Sequence, residues 1–275
     1  MQDETADNAR ERPGALSHAD LTHFREHGWV RVPGVFGTAE IERLLSAVER
    51  YLAAQPLNAG ERTTTFVAPD GTLAPRKLAA PFYLDAEFQR IVLDPRLTGA
   101  IAALGDGEPL LLMDHVFLKP PRQAQIKHPH QDNSYFRISP AGRVVSGWIA
   151  LDDADLDNGC LFYLDGSQRL GLLAHTAPAD EPRNFKADEA AIAGLSRSYV
   201  PARRGDVIFH HSQVVHGSGP NRSEIWRRGY ATHWLAAPAH VPEELLRTAV
   251  FARPDYPGRE AYRRRYPELF PPNAS

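Results

Sequence analysis

Three side chains have the types needed to hold a metal ion that keeps open coordination positions. They are His130 and Asp132, in the stretch HPHQDNSY at 128–135, and His216, in VVHGSGPN. If an extended segment carries His130-Gln131-Asp132, the imidazole and the carboxylate, two residues apart, project from one face. His216 is the best candidate for the third donor. Two histidines and one carboxylate on one face of an octahedral Fe(II), with the opposite face free for a co-substrate and O2, form the facial arrangement of non-haem iron oxygenation. Arg227 stands eleven residues past His216 and opens the run RRGYATHWL. A buried guanidinium needs an anionic partner, and its planar fork grips a carboxylate with two hydrogen bonds. A dicarboxylate co-substrate could chelate the iron at one end and pair with Arg227 at the other.

The elements that must position these groups fall into two parts. From Ser17, SHADLTHFREHG reads as a helix with Ser17 as N-cap and Gly28 as stop, and Trp29–Val32 alternates as a short strand. A second helix is expected with Thr38 as its cap and Glu42 nearby, and with Ile41, Leu44, Leu45, Val48 and Leu52 at helical spacing. Residues 54–76, rich in Pro, Gly and Thr, are expected as a long loop or lid over the pocket mouth. Phe88–Leu104 restores a helical pattern, interrupted at Asp94-Pro95. After Gly107 short strands follow: Leu110–Lys119, Val144–Leu151, Cys160–Leu164, Tyr199–Pro201, Val207–His210, Val214–His216 and Gly229–Leu235. Residues 170–197 suit a loop with a short helix at 187–195, and a further helix is expected at 242–249. Helices followed by many short strands predict an α+β chain, mainly β, with a jelly roll or closed double-sheet barrel as its core. We expect a disordered tail at 1–16 and one domain over 17–275, its β core at about 108–236.

Bulk properties bound the function. The 275 residues carry a formal charge of −3, with 43% hydrophobic and 24% charged residues, so nucleic acid is not the expected partner. Cys160 is the single cysteine, which excludes an intramolecular disulfide and suits a small apolar strand residue. Residues 1–14 are polar where a secretory leader would be apolar, and no run approaches the roughly 20 residues of a membrane span. A cytoplasmic enzyme or binding protein acting on a small molecule, away from membranes, is the expectation.

The words LKPP (118–121), HPHQDNSYF (128–136), WIALDDADLDNGCL (148–161), GDVIFHH (205–211) and HGSGPNRSEIWRR (216–228) together resemble the phytanoyl-CoA hydroxylase-like (phytanoyl-CoA dioxygenase) family of Fe(II)- and 2-oxoglutarate-dependent oxygenases. HGWVRVPGVF at 27–36 fits too, and the likeness covers about residues 18–236. It implies a double-stranded β-helix, cupin-like, with helices packed outside. It implies that His130, Asp132 and His216 ligate iron, and that Arg227 and Ser218 hold the distal carboxylate of 2-oxoglutarate, with Lys119 and Trp148 near the co-substrate. Asp132 supplies the carboxylate that related halogenases lack, so hydroxylation or another oxidation using O2 is favoured.

Gln131 and Tyr135 are assigned to the pocket mouth and to substrate. His128, His210 and His211 are read as supporting groups, because iron needs only three protein ligands and metal-bound imidazoles want hydrogen-bond partners behind them. Two other readings stay open: a Zn(II)-type jelly roll that hydrolyses or isomerises its ligand, and a silent binding module of the same fold. The favoured substrate is a secondary-metabolite intermediate or another small hydrophobic molecule, chosen by residues 54–85 and 170–197.

Overall fold

The computed structural model describes residues 15–54, 63–67, 73–179, 181 and 184–270, so the expected tail lies outside the described residues except for 15 and 16. Helix α1 (His18–His27) starts with a capping box: the Ser17 hydroxyl accepts the Asp20 N–H, and the Asp20 carboxylate accepts the Ser17 N–H. It ends at Gly28, whose φ of 84° lies where glycine is favoured. Strand β1 (Trp29–Val32) follows, then α2 (Thr38–Ala54), which buries Ile41, Leu44, Leu45 and Val48 as their spacing predicts.

Of the 54–76 region expected as a loop or lid, 55–62 and 68–72 lie outside the described residues, and the described part differs from the expectation. Strands β2 (Thr63–Val67) and β3 (Leu73–Ala79) pair with each other, and β3 continues onto the next strand. The run Thr63-Thr64-Thr65-Phe66-Val67 is β-branched and aromatic, and this outweighs the neighbouring Pro and Gly. Helices α3 (Ala86–Val92) and α4 (Pro95–Gly105) divide where expected: the Asp94 carboxylate caps the Arg96 N–H, and Pro95 opens α4.

The β region comprises β4 (Glu108–Lys119), β5 (Lys127–His130), β6 (Val144–Ala150), β7 (Leu161–Leu164), β8 (His175–Thr176), β9 (Lys186–Ala187), β10 (Arg197–Val200), β11 (Val207–His211), β12 (His216–Ser218) and β13 (Arg227–Ala237). Between them lie α5 (Asn133–Phe136) and α6 (Glu189–Ile192), a single turn where a longer helix was expected. After them come α7 (Glu243–Leu246) and α8 (Arg259–Arg265). Among the described residues the larger sheet has the order β1-β11-β6-β13-β4-β3-β2 and the smaller β10-β7-β12-β5, all pairs antiparallel.

These two sheets form the double-stranded β-helix, a mainly β jelly roll flanked by helices. Strand β6 shows why it closes. Val145 and Ile149 face an outer core with α2, α3 and α4 residues such as Leu44, Phe88 and Leu97. Trp148 and Ala150 face an inner core with Leu161, Tyr163, Ile208 and Ala231. A strand buried on both faces must lie between two layers. Cys160 packs in that inner core, as a small apolar residue should. No described helix is long and apolar enough to cross a membrane.

Candidate active site

Strands β5 and β12 lie side by side in the smaller sheet, with His130 directly opposite His216. The expectation that His130-Gln131-Asp132 is wholly extended does not hold. The strand ends at His130, and Asp132, at φ −58° and ψ −37°, is already helical and opens α5. Local bonds explain the stop: Ser134 Oγ donates to the Gln131 carbonyl at 2.7 Å, and Asn133 exchanges two hydrogen bonds with the Ile138 backbone. The strand-to-helix turn, rather than strand alternation, brings the carboxylate round to the imidazole. Asp132 Oδ1 lies 3.5 Å from His130 Nε2 and 3.6 Å from His216 Nε2. One donor atom from each residue lies within 4.8 Å of the others, and all three side chains are buried.

The protonation pattern suits a cation. His130 Nδ1 is 2.9 Å from the His128 carbonyl and His216 Nδ1 is 3.1 Å from that of Val214, so each Nδ1–H donates outward and leaves an Nε2 lone pair facing the centre. Burial holds His130 down at about 4, with Lys127 adding to the effect, and burial with His130 nearby holds His216 well below its ordinary value. Both imidazoles are therefore neutral near pH 7. Burial raises Asp132, but His216, His233 and the hydrogen bond from His210 outweigh it, so the carboxylate stays ionised.

Asp132 uses its two oxygens differently. Oδ2 accepts from Ser146 Oγ at 2.7 Å and from His210 Nε2 at 3.0 Å, leaving Oδ1 toward the two Nε2 atoms. Behind these stand Tyr163, whose hydroxyl is 3.1 Å from His210 Nδ1, and His233, whose Nδ1 is 2.8 Å from Ser146 Oγ. His210 thus lies behind the triad, while His211 Nδ1 accepts the Gln213 N–H and His128 offers its carbonyl. Ser146 and His233 escaped the sequence reading. The available signal was alternation, since Ser146 shares a face of β6 with Trp148, and His233 shares a face of β13 with Arg227.

The second cluster lies where β13 meets β4, with Arg227 directly opposite Lys119. The Asn221 amide sets the preceding turn by donating to the carbonyls of Lys119, Pro120 and Ile225. Ser218 Oγ accepts from Lys119 Nζ at 3.0 Å and from Arg227 Nη2 at 3.3 Å; Lys119 also donates to the Gly219 carbonyl. The guanidinium carbon is 5.7 Å from the centre of the Trp148 ring, and the indole has room because residue 229 is glycine: a Cβ there would lie 2.2 Å from it. Arg228 grips Asp152 at 2.7 and 2.8 Å, yet among the described residues no carboxylate lies within 4 Å of Arg227 or Lys119. Arg227 Nε is buried without a partner. Burial, with Arg227 beside it, pushes Lys119 down to about 6, and burial pushes Arg227 down to about 10. Like charges facing each other across a buried strand pair are costly, and an anion between them would relieve both.

Two further expectations separate here. Tyr135 lies beside His130, ring centres 5.9 Å apart, and its hydroxyl meets Lys127 Nζ at 2.9 Å and the Phe185 N–H at 3.0 Å. Gln131 does not face the mouth. It is fully buried, its Nε2 donates to the carbonyls of Gly171 and Gln213, and its Oε1 accepts the Leu173 N–H. With its amide saturated by backbone, it has nothing left for a substrate.

A buried His-Asp-His face inside a double-stranded β-helix, beside a cationic pocket, marks a mononuclear metal-site protein of the cupin-like kind. Residues 24–229 match the family described as Phytanoyl-CoA dioxygenase (PhyH), and the chain belongs to that family. It is similar to phytanoyl-CoA dioxygenase domain-containing protein 1 of Mus musculus, with 32% identity over 161 residues, 57% of this chain and 55% of the relative. The chain thus spans about half the length of that relative. It is 25% identical to peroxisomal phytanoyl-CoA dioxygenase of Bos taurus over 236 residues, 82% of this chain and 70% of the relative. Among solved structures, AviO1 from Streptomyces viridochromogenes superposes with a TM-score of 0.66 at 27% identity, covering 81% and 97% of the two chains. SnoN, described as a non-heme alpha ketoglutarate dependent epimerase from nogalamycin biosynthesis, gives 0.65 at 25% identity, covering 80% and 83%.

Proposed function

We propose that this chain is an Fe(II)- and 2-oxoglutarate-dependent dioxygenase that hydroxylates a small organic molecule and releases succinate and CO2. The observation that carries this reading is the convergence of three metal donors beside two buried cations that have no carboxylate partner. The donor set suits Fe(II), being two neutral imidazoles and one carboxylate with its outer oxygen already tied down. The unpartnered Arg227 Nε suits the distal carboxylate of an oxo diacid.

In this reading His130, Asp132 and His216 hold the metal, and Ser146 and His210 fix which carboxylate oxygen faces it. Arg227 grips the distal carboxylate with its fork, Ser218 adds a hydroxyl, Lys119 adds charge, and Trp148 walls the pocket and excludes water. When bound, Fe(II) and 2-oxoglutarate supply the activation of O2 and the oxidising power that no side chain has. The description of SnoN supports dependence on 2-oxoglutarate, and its being an epimerase makes the outcome of oxidation the finer part of the proposal. Hydroxylation is favoured because Asp132 occupies the position a halide would need. A Zn(II) hydrolase would have no use for the Arg227–Lys119 pair. The domain of residues 17–275 and a cytoplasmic location belong to the same proposal.

The test is anaerobic addition of Fe(II) and 2-oxoglutarate. The expected result is the weak visible charge-transfer absorption of the chelate, lost in Asp132→Ala; a flat difference spectrum with wild-type protein overturns the reading. Substrate-linked succinate release then separates an enzyme from a silent binder.

A further inference from the structure

We propose that Lys127, steadied by the Tyr135 hydroxyl, anchors an oxyanion of the substrate, a carboxylate or phosphate, on the His130 side of the site. The proposal deepens the oxygenase reading by naming the substrate class, and it rests on that reading for the role of the bound anion. Lys127 and His130 are three apart and would point to opposite faces of a regular strand. However, β5 pairs His130 with His216 and Lys127 with Ser218, which are only two apart on β12, so β5 bulges by one residue. The bulge turns Lys127 onto the face that carries His130, His216 and Ser218, a known use of such irregularities beside active sites.

The surroundings of the ammonium are one-sided. Lys127 Nζ donates to the Tyr135 hydroxyl and sits 5.2 Å from that ring's centre; among the described residues no carboxylate lies within 4 Å of it. The negative groups acting on it are Asp132 and Glu181. Asp132 is committed to the metal donors, and Glu181 is held by Gln125 and Asn184. From β3, Arg76 and Lys77 add positive charge. The strand register places Lys77 opposite Phe117, and β3 bulges at Arg76, because Thr64 and Thr65 pair with Lys77 and Pro75. Fe(II), Asp132, the oxo diacid, Arg227, Lys119 and Glu181 together sum to zero before Lys127 is counted. A substrate bearing one negative charge would balance this side. Tyr135, stacked on Phe185 at 4.4 Å, offers an apolar wall for the rest of it. The expectation of a secondary-metabolite intermediate or another small hydrophobic molecule narrows to an amphiphilic acid.

Protein loaded anaerobically with Fe(II) and 2-oxoglutarate, so that the Arg227 pocket is filled, is titrated by calorimetry. The ligands are straight-chain acids from acetate to octanoate, the matching alkyl phosphates, and their amides and alcohols. At least one acid or phosphate should bind about tenfold or more tighter than its neutral counterpart, the effect of one charge-assisted hydrogen bond. The acid and phosphate arms identify the oxyanion. Lys127→Met should bring the preference to near unity with the charge-transfer absorption intact, and Lys127→Arg should keep it. In wild-type protein the preferred anion should slow acetylation of Lys127 by acetic anhydride, followed by peptide mass spectrometry, while its neutral counterpart should not. No preference across the panel, a preference that survives Lys127→Met, or equal acetylation with both ligands overturns the assignment. An acid preference that depends on Lys127 in protein lacking the charge-transfer absorption would sink the oxygenase reading and leave the anion site standing.

Discussion

Replacing Arg227 by methionine separates co-substrate binding from metal binding. The guanidinium is buried and, among the described residues, has an orphan Nε and reaches only Ser218 Oγ at 3.3 Å, so its hydrogen-bonding capacity there is largely unused. If it grips the distal carboxylate of 2-oxoglutarate, the variant loses a charge-assisted pair of about 1.5–3 kcal/mol, which is about a 10- to 150-fold weaker Kd. Fe(II) affinity should hardly move, because none of the three metal donors touches Arg227. The assay is titration of the visible chelate band with 2-oxoglutarate at saturating Fe(II), set against Fe(II) binding measured alone. Stability without ligands supplies a second readout. An arginine that serves the fold would lower Tm when removed. One that confronts Lys119 without an anion should leave Tm unchanged or raised, since replacing a buried unbalanced charge by an apolar side chain is neutral or stabilising. Equal weakening of iron and 2-oxoglutarate binding, or a fall in Tm with no change in either affinity, would refute the role given to Arg227.

Ser146→Ala removes the 2.7 Å donor on Asp132 Oδ2 and should weaken Fe(II) binding by about 10–100-fold, measured by metal competition; unchanged affinity would make Ser146 a packing residue. Asp114, fully buried and accepting from the Phe82 N–H and Tyr230 OH at 2.8 Å each, is pushed by burial from 3.8 up to about 6. Its folded pKa is raised, so its contribution is fully present below pH 3.8 and is lost as pH rises through about 6. The stability of wild type relative to Asp114→Asn, from denaturant titrations, should fall by about 2–3 kcal/mol across that window, and parallel pH profiles would contradict this.

The residues that chemistry demands were the most legible in the sequence, because a donor set is recognisable by type and order even when its geometry is not. His130, Asp132 and His216 meet, but through a strand-to-helix turn written in Ser134 and Asn133 rather than through strand alternation. Lys119 and Arg227 carry no marker of being opposite one another, since register is a non-local property fixed by the whole of β4 and β13. Gln131 misled for a related reason: a polar residue between two metal donors invites a role in the pocket, and only the folded chain shows its amide saturated by backbone. Lys127 was invisible, because a period-two pattern assigns it to the wrong face unless the bulge is known. The hairpin of β2 and β3 was hidden by its Pro and Gly neighbours, and it contributes Arg76 and Lys77.

Gln131 also sets a boundary for anyone who would re-engineer this scaffold. Its single amide staples the turn between His130 and Asp132 to the backbone at Gly171, Leu173 and Gln213. Residues 171–173 are therefore mechanically part of the candidate metal centre, although by sequence they belong to the stretch before β8. A graft that imports a relative's pocket loop should join after Leu173, where the staple is intact. A junction two residues earlier would exchange the anchor together with the cargo and loosen the metal face while altering selectivity.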